Sequence, residues 1–254
     1  MNSEVTVDII IPNYNKALYL KETINSVINQ KFKNWNLYII DNNSTDESKK
    51  ILQESEKVSK KIKVIYLKKN KGVSFSRNLG LRISTAQYLC FLDSDDLWLV
   101  DKLEQQVNFM VNRSHVFTYT NFIPFITIDN KKFLKKIVSP PNKFSYKEFI
   151  LNTSIATSTM MIKRNFFRNI KFPKVKSFED YIFKCSLLKK TNAIKLDVNT
   201  THYRILKKSL SSSKFQNIFW LFILNRKYNN LSFIENIKSI IFVSINSIKK
   251  YGFK

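Results

Sequence analysis

Glycine is almost missing from this chain, with three residues in 254. Lysine, asparagine and isoleucine are used heavily instead, a pattern of genome bias, so each surviving glycine marks a position that merits a conformational reason. Cysteine is equally scarce. Cys90 and Cys185 make neither a metal-ligand spacing nor a disulfide framework, which leaves packing as their role and a reducing cytosol as the simplest setting. The longest apolar runs, such as IFWLFIL at 218–224, fall short of the ~20 residues that span a bilayer, so an integral membrane protein is not expected. The N-terminal stretch carries Glu4 and Asp8 and lacks the basic start of a secretory signal, so export is not expected either.

Acid is the other shortage. Against 43 Lys and Arg stand 19 Asp and Glu, a net charge of +24, which draws anions such as nucleotides, lipid headgroups or nucleic acid. Yet CFLDSDDLW (90–98) sets Asp93, Asp95 and Asp96 within four positions at the end of an apolar run. Like charges about 5 Å apart repel by roughly 3 kcal/mol at an effective dielectric near 20. Something positive is expected beside them.

What is present is a 44% apolar chain long enough for one sizeable α/β domain or a domain with a smaller appendage. Strand-like runs at 5–11, 35–41, 61–67 and 86–93 alternate with helical spacing at 17–30, from Ser44 or Thr45 onward, and from the Asn70–Gly72 turn to about 85. This is the pattern of a mostly parallel, doubly wound sheet, whose ligands lie outside the carboxyl ends of the strands. Asp41 and the Asp93–Asp96 cluster should therefore open onto one edge. Further on, 115–128 suits one or two strands, 129–147 a mobile loop, 154–162 a strand and 177–190 an amphipathic helix. Two helices are expected after Ser213, the second with isoleucines at 234, 237, 241, 245 and 248.

IIIPNYN, LYIIDNNSTD, NKGVSFSRNLG, FLDSDD and FEDYIF, in that order, resemble glycosyltransferase family 2, nucleotide-sugar enzymes of the GT-A fold. The resemblance is strong over 5–112, extends to about 211 and is absent beyond. It implies an α/β fold, a GT-A Rossmann-like mostly parallel sheet flanked by helices, with a helical C-terminal appendage. The catalytic domain would be 1–212, with a nucleotide-binding half (1–112) and an acceptor-binding half (113–212), followed by a basic amphipathic tail (213–254).

The resemblance also implies roles. Asp93 and Asp95 would handle the ribose and a divalent metal, Mn or Mg, on the donor's diphosphate; a hard cation wants oxygen ligands and offsets charge on the leaving nucleotide. An acidic helix cap at Asp95 or Asp96 explains one acid, not three. Pro12 and Tyr14 belong to the nucleotide site, with Tyr14 packing on the base and Asp41 accepting from a uracil-like base; a core tyrosine and a helix cap are the alternatives. Arg77 would reach the diphosphate, or be a solvated helix arginine. Gly72 fits a turn with unusual dihedrals and Gly80 a close helix contact. Asp180 is the candidate base, oriented by Glu179, set against an ordinary acidic first helical turn.

Some positions depart from the family pattern. Asn43 stands where glycine is common, and asparagine tolerates the left-handed turn that glycine would supply. After Tyr203-Arg204 the chain has Leu206 where many members have a histidine that could touch metal or donor; His202 lies nearby, as a supporting or structural residue. The 216–220 stretch QNIFW lacks the arginine of processive synthases, so one sugar per encounter is expected.

The expected partners are a nucleotide-sugar donor, UDP-linked, and a glycan or glycolipid acceptor in a bacterial cytoplasm. Residues 203–254 hold ten Lys or Arg and one acid, Glu235, and suit either peripheral contact with the anionic inner face of the plasma membrane, at ~1 kcal/mol per nearby basic residue, or helices packed on the domain with lysines in water. A nucleic-acid-binding protein is the rival class, though no nucleic-acid partner is expected; a nucleotide-binding but inactive relative is a third possibility.

Overall fold

Residues 9–11 are apolar on both faces of the strand, and the neighbours at 37–40 and 88–91 read alike; such strands must be covered on both sides. The computed structural model, which describes residues 5–129, 131–206 and 214–251, shows how. The chain runs β1 (Val7–Asn13), α1 (Ala17–Ile28), β2 (Trp35–Asp41), α2 (Ser48–Val58), β3 (Ile62–Tyr66), α3 (Val73–Ile83), β4 (Tyr88–Phe91), β5 (Leu97–Trp98) and α4 (Lys102–Asn112). It continues through β6 (Phe117–Ile128), β7 (Lys131–Leu134), β8 (Lys143–Phe144), α5 (Tyr146–Phe149), β9 (Met161–Lys163), α6 (Glu179–Leu188), β10 (Ala193–Arg204), α7 (Lys214–Asn229) and α8 (Phe233–Tyr251).

One sheet holds the strands in the order β3-β2-β1-β4-β9-β6-β10-β5, with β7 on β6 and β8 on β10. The first four strands are parallel throughout. Beyond β4 the sheet becomes mixed: β9 is antiparallel to both β4 and β6, while β6 and β10 are parallel. The period of two along β1 builds two cores. Val7, Ile9 and Ile11 join Leu37, Ile39 and Cys90 beneath α1, α2 and α4, whereas Ile10 joins Ile40, Leu89 and Phe91 beneath α3 and α6. The strand order reverses between β1 and β4, and the crevice at their carboxyl ends is where such sheets bind ligands.

The structure departs from the sequence-based expectations in several places. Residues 129–147 are not a mobile loop. β7 pairs antiparallel with β6, Val138 exchanges both backbone hydrogen bonds with Phe122, and α5 begins with a Ser145–Glu148 capping box. All four residues of β7 are exposed, so no buried face wrote an alternation into the sequence. The 154–162 segment is a strand only from Met161; Thr157–Thr159 is a buried single turn of tight helix. α2 begins at Ser48 rather than at Ser44 or Thr45, because the Ser44 hydroxyl donates to Asp41 (2.6 Å) instead of capping a helix. Residues 115–128 resolve into the single long strand β6.

Gly80 lies in α3 directly over β1. A methyl group there would sit 2.5 Å from Ile10 Cγ2, too close for any real carbon pair. Gly80→Ala should therefore lower stability by about 1–3 kcal/mol through overpacking, seen as a lower urea midpoint at unchanged slope. An unaltered midpoint would show that α3 can lift from the sheet at no cost.

Candidate functional site

β4 leaves the sheet beside β1, the Leu92 N–H donating to the Ile10 carbonyl, and the next four residues form the acidic turn. The Asp96 N–H donates to the Asp93 carbonyl (3.0 Å), and the Thr23 hydroxyl of α1 donates to the Asp96 carbonyl (2.9 Å). β5 follows directly and α4 begins only at Lys102, so none of these acids is a helix cap.

Each acid meets its own partner. Asp93 Oδ1 accepts from Arg77 Nη2 (2.7 Å), and Asp95 Oδ2 is paired with Lys16 Nζ (2.6 Å). Asp96 is buried; it accepts from the Ser158 hydroxyl (2.6 Å) and the Arg204 N–H (2.8 Å), which ties the turn to β10. Arg204 continues the tie by donating from Nε to the Asp95 carbonyl (2.7 Å) and from Nη2 to Glu22 (2.8 Å). Burial pushes the Asp96 carboxyl well above its usual range, and the neighbouring Asp95 and Asp93 push the same way. Asp95 is raised too, first by burial, with Lys16 opposing.

Arg77 is the centre of this arrangement. Only 5% exposed, it spans Asp93 on one side and Glu179 Oε1 on the other (2.7 Å through Nη1), so both terminal nitrogens are occupied by carboxylates. Burial works against its charge, but Asp93, Glu179 and Asp180 outweigh that and hold the proton more tightly than usual. The solvated-helix alternative for Arg77 does not hold.

Asp180, beside Glu179, is the second residue of α6, which starts from Phe178 in a left-handed conformation (φ 61°). Asp180 Oδ2 accepts from Lys184 one turn on (2.7 Å) and from the Thr157 hydroxyl (3.1 Å). That leaves Oδ1 without a protein donor among the described residues. Burial favours protonation here, but the Lys184 ammonium and Arg77 hold the carboxyl well below the usual range. Glu179 moves the other way, raised by burial and by Asp180 against the pull of Arg77. The pKa values of two adjacent acids are thus pushed in opposite directions, a common device for assigning different roles to them.

Across the crevice, Asp41 ends β2 opposite Asn13. Its Oδ1 accepts from Asn13 Nδ2 (2.9 Å) and the Ser44 hydroxyl (2.6 Å), and its Oδ2 from the Ser44 N–H (3.1 Å). A carboxylate offers about four acceptor positions, so Asp41 fixes its loop and keeps one to spare. Pro12 is buried within β1, opposite Ile40. Tyr14 is no core tyrosine: it stands 45% exposed at the mouth. Gly72 begins α3 at φ 83°, with its N–H held by Asn70 Oδ1, which also accepts from Asn42. His202 lies elsewhere. It is half-buried on β10, paired with Leu97 just past the acidic turn, with its ring against Phe125, and burial lowers its pKa.

The expected site residues other than His202 therefore share one mouth, linked through Asn13, Lys16, Arg77 and the Thr157–Ser158 turn. Contributors that escaped the sequence analysis include Asn13, Lys16, Thr157, Ser158, Lys184 and Arg204. Lys184 was legible in principle as the i+4 partner of Asp180. Ser158 was hidden by the expectation of a strand across 154–162.

Among the described residues no three His, Cys, Asp or Glu side chains are grouped to hold a metal. The donor set nevertheless fits a hard divalent ion of the kind held by one or two carboxylates plus substrate phosphates. Asp93 Oδ2 and Asp95 Oδ1 have no protein donor among the described residues.

The glycosyl transferase family 2 model matches residues 8–211, and the chain belongs to that family; it is a glycosyltransferase. It is 33% identical over 250 residues to the putative teichuronic acid biosynthesis glycosyltransferase TuaG of Bacillus subtilis, covering 98% of each chain. It is 32% identical to the UDP-Glc:alpha-D-GlcNAc-diphosphoundecaprenol beta-1,3-glucosyltransferase WfgD of Escherichia coli, covering 97% of this chain and 95% of that one. The fold is that of GT-A structures. S. aureus TarS bound to UDP-GlcNAc superposes with a TM-score of 0.72 at 18% identity, over 97% of this chain and 76% of that one. The mannosyltransferase PcManGT of Pyrobaculum calidifontis, with GDP-Man and Mn2+, gives 0.66 at 15% identity, over 98% and 76%.

Asp96 offers a test of the electrostatics. Because its folded-state pKa is raised above the usual 3.8, the stability it contributes is fully present below that value and is lost as pH rises through the folded one. Asp96→Asn keeps the shape without the charge, so its melting temperature should gain on wild type as pH rises from about 4 to 7. A gap that closes over that range would mean Asp96 is ionised and stabilised in place.

Proposed function

We propose that this glycosyltransferase transfers a single sugar, with inversion, from a UDP-sugar to a lipid-carried acceptor during synthesis of a bacterial surface glycan. The observation that carries the proposal is the convergence of Asp93 and Asp95 with Asp180 through the Arg77–Glu179 bridge at one sheet edge. The diphosphoundecaprenol-linked acceptor of WfgD supports the acceptor class, the teichuronic acid role of TuaG the surface glycan, and the UDP-GlcNAc bound to TarS the donor.

Tyr14 would stack on the nucleobase, and the spare acceptor of Asp41 would meet a base N–H. Asp93 and Asp95 would hold Mn or Mg together with the diphosphate; the ion, when bound, offsets charge on the departing UDP. Lys16 then serves as the counter-charge that Asp95 keeps before donor binding. Arg77 holds Asp93 toward the donor and Glu179 toward the acceptor, a positioning role rather than the direct diphosphate contact the sequence implied. Asp180, ionised and with Oδ1 open, takes the proton from the attacking hydroxyl. Its pairing with Lys184 lowers its basicity, so position contributes more than proton affinity.

Asp180→Asn should reduce transfer by about 10²–10⁴-fold while a UDP-sugar with Mn still raises the melting temperature. Asp95→Asn should instead lose the Mn-dependent part of that rise. Transfer that survives in Asp180→Asn would remove the base assignment, and a donor response in wild type without any turnover would make the chain an inactive binder.

A further inference from the structure

α8 buries its polar side. Asn236 and Ser239 are fully buried and form one hydrogen-bonded cluster with Asn225 of α7: Asn225 donates toward Asn236 and Ser239 (3.1 Å each) and accepts from Tyr181 of α6 (2.7 Å). The Ser239 hydroxyl donates to the Ile150 carbonyl (2.6 Å), and Asn246 to that of Leu151 (3.1 Å). These polar contacts, with Leu221, Leu224 and Leu231 in the core and Ile240 and Val243 packed against it, seat the helix pair on the rest of the chain.

The isoleucines spaced along α8 face the other way. Ile237, Ile245 and Ile248 are exposed, as are Ile234 (79%) and Ile241 (51%), with Phe233 and Phe242 beside them. A helix packed on a domain in water does the reverse, and an apolar stripe of this length on the outside calls for a cover. None of the described helices is long and apolar enough to cross a membrane, so the stripe lies on something rather than through it.

Charge selects the occupant. Arg226, Lys227, Lys238 and Lys249 are exposed on this helix pair, and Glu235 is the pair's one acid. A second copy would bring two such cationic surfaces together; an anionic bilayer meets them with opposite charge. The far end of α8 also reaches the acceptor side of the site. Asn246, Lys249 and Lys250 line a cavity of about 230 Å³ with Lys136 and Ser154, three residues before the Thr157 that binds Asp180.

We propose that α8 is a docking surface for an anionic phospholipid bilayer, lying flat with its isoleucine stripe at the acyl boundary and its lysines among the headgroups. It rests on the transferase reading for its purpose, delivery of a lipid-carried acceptor, but not for its existence.

The test is flotation of the full chain with vesicles of phosphatidylglycerol and phosphatidylcholine, or of phosphatidylcholine alone. Binding is expected to the anionic vesicles and to weaken in salt. The paired substitution Ile241→Asp and Ile245→Asp should lower partitioning by about tenfold or more, and Ile241→Ser with Ile245→Ser should lower it less, both with an unchanged melting temperature. Vesicle binding unaffected by either pair, or equal on both lipids, overturns the proposal. So does a solution dimer that these substitutions dissociate without any vesicle binding, since the occupant is then a second copy. Loss of the UDP-sugar response with vesicle binding intact would instead sink the transferase reading and leave the docking surface standing.

Discussion

Acidic groups from two distant segments can share a small mouth only if fixed positive charge holds them there. Arg77 does this for Asp93 and Glu179, which lie 16 and 102 positions away along the chain. Its fork carries two hydrogen bonds in a fixed plane, which a lysine could not match. Lys16 and Lys184 complete the balance for Asp95 and Asp180. The acids left over are managed by burial: Asp96 is pushed toward protonation and becomes an anchor for β10 and the Thr157–Ser158 turn. The acids are paired, and Asp93 and Asp95 each keep one oxygen without a protein donor among the described residues.

The scarcity of glycine is met mainly by asparagine. Asn15, Asn43 and Asn230 occupy left-handed conformations, with φ of 50°, 65° and 53°, and the first two stand in the loops after β1 and β2. Their side chains add what glycine could not. Asn15 accepts from the Thr45 N–H, and Asn42 is joined to the loop after β3 by hydrogen bonds with Asn70 and Lys71. The loops after the first three strands are therefore laced to one another, which fixes the mouth into which Tyr14 projects.

Much of this was legible in the sequence, for a physical reason. β1, β2, α3 and α6 are covered by protein, so their periodicity records what they touch, and the acids fall at strand ends where ligands bind. What escaped lacked such a record. β7 has no buried face, and the buried 157–159 turn is a polar Thr-Ser-Thr set between Ile155 and the Met160–Ile162 run, so it reads as a continuation of that strand. In α8 the period was read correctly, yet it could not say which side met the protein; the asparagines and Ser239 decided that.

The central claim is that one mouth holds cation, diphosphate and base together. The most direct measurement is the anomalous difference map of crystals grown with UDP and Mn. The account predicts a single strong peak beside Asp95 and Asp93, bridging to the UDP phosphates, with Asp180 Oδ1 facing the space beyond them. A peak at another surface, or UDP bound away from Tyr14 and Asp41, would contradict it.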